Sequence, residues 1–185
     1  MGEKELADYP KSELKKRFPG FKHGKGTGLF FRNAEIIGSI AKDEQTSTCL
    51  PVMAVLFRDA DSTRTSKRTE WENKFHSIMD GFESVPFNAG VPMVPRPKSE
   101  AWLLCGLNYR SNAGCDELEE APGNDNSPKS LKKQLAALMG HDPSAEEQAD
   151  WIKSGRIDPA NISMPSFTAF RDALELAINN ALNPC

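Results

Sequence analysis

The longest apolar run in the chain is Leu50-Pro-Val-Met-Ala-Val-Leu-Phe57, which breaks at once into Arg58-Asp-Ala-Asp61. Seven of its eight residues are apolar and none alternates with a polar one. Such a pattern predicts a strand buried on both faces, as in a parallel sheet. A second short run, Val91 to Val94, predicts another strand, which Pro92 confines to an edge or to a few residues. Between them Thr69 and Glu72 read as a capping box opening a helix to about Phe82, with Gly81 near its end. Trp71, Phe75, Ile78, Met79 and Phe82 recur at helical spacing and give that helix one apolar face. Strand, helix and strand make a βαβ unit, whose right-handed crossover brings both strand ends to one edge.

The flanking segments read as helix, loop or arm. Leu29 to Ile40 reads as a helix, and residues 1–28 as a basic, glycine-rich arm with Lys11, Lys15, Lys16, Arg17, Lys22, His23 and Lys25. Leu107 to Ser127 is irregular, and its acids, among them Asp116, Glu117, Glu119 and Glu120, read as a solvated loop. Residues 127–182 read as helical cover. Ser127-Pro128 caps a helix to Met139, with Leu131, Leu135, Leu138 and Met139 inward and Gly140 as its stop. Ser144 with Glu147 opens another through Ile152, ended by Gly155. Pro165-Ser166 begins the last, where Phe167, Phe170, Leu174, Ala177 and Ile178 form a stripe. The expected fold is a single α/β domain over residues 1–185: a small, mostly parallel sheet with helices on both faces and a helical final third.

Candidate chemistry gathers at the predicted strand ends. Ligands of open α/β sheets bind outside the carboxyl ends of the strands, which is where Asp59 and Asp61 arrive. Two carboxylates one residue apart suit Mg²⁺ or Mn²⁺, hard cations that take one or two carboxylates plus water and phosphate. A polar turn would have the same composition. Ser99 reads as the N-cap of a short helix from Glu100 to Cys105, closed by Gly106. Arg96 and Lys98 beside the free N–H groups of that helix make an anion site suited to a phosphodiester. Arg64, Lys67 and Arg68 fall beside the acids, to bind phosphate or to offset the aspartates. Glu100 is a third-ligand candidate, although the helix dipole alone favours an acid there.

Arg58-Asp-Ala-Asp61, Val94-Pro-Arg-Pro-Lys-Ser-Glu-Ala-Trp-Leu-Leu104 and Met164-Pro-Ser-Phe-Thr-Ala-Phe-Arg-Asp-Ala-Leu174 resemble the successive signatures of a small bacterial family with a TOPRIM-like (topoisomerase–primase) fold. The resemblance spans roughly Gly24 to Leu182. It implies a nuclease found beside ATPases in phage-defence loci, in which a strand-end glutamate and a D-x-D pair hold Mg²⁺ for phosphodiester chemistry. The pair carries over to Asp59 and Asp61. The glutamate has no counterpart, because no segment from Met1 to Thr48 reads as a strand ending in Glu, and Glu35 lies in the predicted helix. The pattern therefore implies a partner chain that supplies the missing strand.

Composition narrows these expectations. At 185 residues, with 26% charged residues and a mean hydropathy of −0.52, the chain suits one soluble domain. No apolar run approaches 18 residues, so a cytoplasmic protein without a membrane segment is expected. Cys49, Cys105, Cys115 and Cys185 show no C-x-x-C and the histidines are dispersed, which predicts reduced thiols and no zinc site. Residues 1–110 carry 17 Lys/Arg against 14 Asp/Glu, and residues 111–185 carry 6 against 12, so a nucleic-acid surface belongs to the first part. Gly20-x-x-x-Gly24-Lys25-Gly26-Thr27 is not a P-loop, being one residue short with Gly where Ser or Thr must bind Mg²⁺. Two functions fit: a Mg²⁺-dependent nuclease or nuclease subunit acting on DNA or RNA, or a non-catalytic subunit that binds a partner ATPase or nucleic acid. An ion shared by Asp59, Asp61 and a third carboxylate would favour the first, and Asp59 acting as a helix cap the second.

Overall fold

The computed structural model describes residues 1–8, 27–61, 68–107 and 115–182. The basic arm's Lys11, Lys15, Lys16, Arg17, Lys22, His23 and Lys25, together with Arg64 and Lys67, lie outside them. In chain order the elements are α1 (Glu3–Asp8), α2 (Gly28–Thr48), β1 (Ala54–Phe57), α3 (Arg68–Glu83), β2 (Gly90–Met93), α4 (Ser99–Gly106), α5 (Asp116–Glu119), α6 (Leu131–Met139), α7 (Ala145–Lys153), a 3₁₀ turn at Pro159–Asn161, and α8 (Pro165–Leu182). Two compact units divide the chain. One comprises Met1–Phe57, Glu72–Met93 and Asp172–Cys185, and the other Arg58–Trp71 and Val94–Arg171.

The first unit holds the sheet, which has two parallel strands among the described residues, Ala54 facing Gly90 and Phe57 facing Met93. A βαβ order and parallel pairing match the sequence reading. Burial along β1 does not, since Ala54 and Leu56 are buried while Val55 is 41% and Phe57 51% exposed. A strand is covered on both faces only when an element packs on each. Helix α2 packs on β1, but the side bearing Val55 and Phe57 stays open, so β1 is covered on one face only, whereas β2, with Val91 and Pro92 fully buried, is covered on both. Gly81 serves contact rather than termination: a Cβ there would collide with the Phe31 carbonyl and lie 2.7 Å from Ala34 Cβ. Helix α3 begins at Arg68, which leaves Thr69 inside its first turn rather than at its cap.

The second unit is built around α4. Trp102 packs edge-on against Phe167 at 5.0 Å and stacks on Phe170 at 5.6 Å, and its indole N–H donates to Ser166 Oγ at 2.9 Å. A Cβ on Gly106 would lie 2.6 Å from Ile157 Cγ2, so this glycine permits a close approach. Helix α7 starts as its sequence predicts, with Ser144 Oγ accepting the Glu147 N–H at 3.1 Å, and Gly155 follows at φ 73°. Helix α6 starts later than expected, capped by Ser130, and ends at Gly140 with φ 79°. Its Leu131 and Leu135 are buried, but Leu138 is exposed, against the expected inward position. Cys105 and Cys115 form a disulfide with 5.5 Å between their Cα atoms. This corrects the expectation of reduced thiols, which rested on motif spacing and ignored that α4 and α5 bring the two together.

Candidate functional site

The loop after Phe57 is fixed by backbone hydrogen bonds within the second unit. Pro95 and Pro97 cannot donate, but their carbonyls accept from Ala60 N–H and Asp61 N–H, each at 3.0 Å. Ala60 is fully buried, and Asp61 adopts the left-handed region at φ 48°, which Asp tolerates better than most residues. The arrangement sets Asp59 beneath the start of α4, where its Oδ1 accepts the Ser99 N–H at 2.9 Å. The cap position is occupied by Lys98, extended and without a side-chain capping bond. Asp59 thus does from a distance what Ser99 was expected to do locally.

Asp59, Asp61 and Glu100 are close enough to interact. The Asp59 pKa is pushed up to about 6, first by burial, with the Ser99 N–H opposing, the Glu100 and Asp61 charges adding and Lys98 subtracting. Glu100 Oε2 is buried and has no hydrogen-bond partner among the described residues. These are hard oxygen donors with an unmet carboxylate, a set that fits Mg²⁺ or Mn²⁺ in kind. In number the fit is partial: among the described residues no group of three His, Cys, Asp or Glu is placed to hold one ion.

The cations assigned to phosphate have protein partners. Arg96 is 5% exposed, with Nη2 at 2.8 Å from Glu120 Oε1 and Nη1 at 3.7 Å from Glu119 Oε2. Its Nε is buried without a partner among the described residues. Lys98 Nζ lies 2.9 Å from Asp125 Oδ1 and 3.9 Å from Asp61 Oδ1. Burial works against the Lys98 ammonium, but hydrogen bonding and charge from Asp125, then Asp61 and Glu100, hold its pKa above the ordinary value. Arg68 is exposed in the first turn of α3.

Glu119, Glu120 and Asp125 were not read as site residues. Glu119 is buried and its Oε1 also accepts the Ser166 N–H at 2.7 Å. The signal available for them was the density of acids between Leu107 and Ser127, which meets basic side chains instead of solvent alone. His141, beside Asp142 in sequence, bonds Glu147 Oε2 at 2.8 Å, which raises its pKa, and belongs to the start of α7. No helix among the described residues is long and apolar enough to cross a membrane. No protein-family model matches the chain, and no curated protein or solved structure matches it.

Proposed function

We propose that this chain is a non-catalytic subunit with a nuclease-like acidic loop, and that it works by binding a partner polypeptide. The observation that carries the reading is the hydrogen bond from Ser99 N–H to Asp59 Oδ1, which gives the leading metal-ligand candidate a structural task. Arg96 and Lys98 support it, since both are neutralised by acids of the same chain. The binding surface is the open face of β1, where Val55 and Phe57 follow exposed Met53. Its occupant is an extended apolar segment of the partner, which pairs by backbone hydrogen bonds with the edge of β1 that faces away from β2 and lays alternate side chains beside Val55 and Phe57. An ATPase encoded nearby is the partner that the TOPRIM-like resemblance implies. The test is calorimetry with Mn²⁺ on the wild type and on Asp59→Ala/Asp61→Ala, alongside nuclease assays on DNA and RNA. Equal, weak heats and no turnover support the reading; tight binding and turnover, both lost in the variant, overturn it.

A second reading, a Mg²⁺-dependent nuclease or nuclease subunit, is favoured by the raised Asp59 pKa and the unpartnered Glu100 Oε2. Asp59 and Asp61 would hold the ion, with Glu100 as the third donor. Bound Mg²⁺ supplies Lewis-acid stabilisation to a phosphodiester. The chain's own part is to orient Asp59 through Ser99 N–H and to fix the Asp61 backbone through the Pro97 carbonyl.

A further inference from the structure

Three of the four carboxylates on Arg96 and Lys98 come from one short stretch, Glu119 and Glu120 on the guanidinium and Asp125 on the ammonium, while the fourth, Asp61, stands 3.9 Å from the ammonium. We propose that this acidic stretch is an internal substitute for phosphate, that it covers a nucleic-acid backbone site formed by Arg96 and Lys98, and that the Cys105–Cys115 disulfide latches it in place. The proposal rests on the phosphate assignment of those two cations and is independent of the β1 surface.

Carboxylate and phosphate present similar oxygen pairs to a guanidinium, so one can stand in for the other. Arg96 is 5% exposed and retains a buried, unpartnered Nε, a donor that its two glutamates leave unused. A phosphate, with more oxygens than a carboxylate, has an acceptor to offer it. The covering acids are not equally fixed. Glu119 is buried and tied to Ser166 N–H, whereas the Glu120 and Asp125 side chains are 66% and 56% exposed. Those two can swing away while Glu119 stays as the hinge, uncovering Arg96 Nη2 and Lys98 Nζ.

The disulfide sits where it controls that movement. Lys98 is the cap residue of α4 and Cys105 lies in its last turn, while Cys115 immediately precedes α5, which carries Glu119 and leads into Glu120. Cutting the bond frees the start of α5 from α4. Cys115 is partly exposed and Cys105 is 2% exposed, so a small thiolate attacks the Cys115 sulfur. The S–S bond breaks, Cys105 leaves as a thiolate and takes a proton, and a second thiol resolves the mixed disulfide at Cys115. Two protein thiols and one disulfide of the reductant result. The buried Cys105 thiol has an acceptor waiting, the Asn161 carbonyl oxygen 3.5 Å from its sulfur.

The test measures binding of a fluorescein-labelled single-stranded DNA 20-mer by anisotropy, using the full chain oxidised and after phosphine reduction, with thiols counted by mass spectrometry. Reduction is expected to tighten binding about tenfold at low salt and to steepen the salt dependence by about two phosphate contacts. Glu120→Gln in the oxidised chain should reproduce part of the gain, and Arg96→Ala should abolish it. Equal affinity before and after verified reduction, with binding still lost in Arg96→Ala, overturns the latch alone. Affinity that Arg96→Ala/Lys98→Ala leaves unchanged in both states overturns the phosphate assignment as well. Loss of the helical circular-dichroism signal on reduction would make the disulfide a stability element and overturn the latch.

Discussion

The Asp59 carboxylate and the Ser99 backbone N–H, forty residues apart in the chain, meet at 2.9 Å. This contact joins the acidic loop to α4 and lets one side chain serve as helix cap and as part of a carboxylate cluster. The two tasks pull oppositely on its charge: the N–H favours the carboxylate, while burial, Glu100 and Asp61 disfavour it more.

That balance sets a pH dependence. The folded pKa of about 6 lies above the ordinary 3.8, so the folded chain holds the Asp59 proton more tightly than the unfolded chain does. The stability from this group is present in acid and is lost as pH rises through about 6. Asp59→Asn keeps an acceptor for Ser99 and removes the charge. Its melting temperature should match the wild type near pH 4 and exceed it at pH 7. Melting curves across that range decide the matter, and a difference that does not widen with pH refutes the assignment. If the metal reading holds, Mg²⁺ at pH 7 should stabilise the wild type more than the variant.

Glu119 should be among the most sensitive positions in the second unit. Its removal leaves Arg96 buried with only Glu120 and deprives Ser166 N–H of its acceptor. Glu119→Ala is expected to cost about 3–5 kcal/mol, or roughly 10 °C in melting temperature. Glu119→Leu combined with Arg96→Met should recover much of the loss, because an apolar pair leaves no unpaired charge. Denaturant unfolding of the three variants tests this, and a loss below about 1 kcal/mol for Glu119→Ala would contradict it.

Two glycines should respond for different reasons. Gly81→Ala meets the Phe31 carbonyl and Ala34, backbone and side chain that cannot both retreat, and is expected to cost about 2–3 kcal/mol. Gly140→Ala has open space around its Cβ but sits at φ 79°, so about 1 kcal/mol of left-handed strain is expected. Chemical denaturation of both variants would show whether the order holds.

Exposed Phe57 and Val55 offer a surface test. Phe57→Lys should leave stability within about 1 kcal/mol, since the side chain is half in water already. It should lower binding of the apolar dye ANS. A large stability loss would mean that this face is core in solution.

What the sequence determined by itself is short in range. The Ser144–Glu147 capping bond spans three residues, Gly140 and Gly155 supply left-handed turns after α6 and α7, and the Phe167–Phe170 spacing set one side of α8 against Trp102. Each is encoded within about one helical turn, so composition and spacing suffice. Parallel pairing of β1 with β2 also followed, because a strand–helix–strand order leaves few topologies. Tertiary structure decided the rest. An apolar run cannot tell whether a second layer arrives to cover it, so β1 reads as doubly buried although Val55 and Phe57 lie open. A strand-end D-x-D has the same sequence whether it waits for a cation or caps a helix. Only the arrival of Ser99 N–H at Asp59, of Glu119 and Glu120 at Arg96, and of Cys115 at Cys105 distinguishes the outcomes, and those meetings depend on how the whole chain packs.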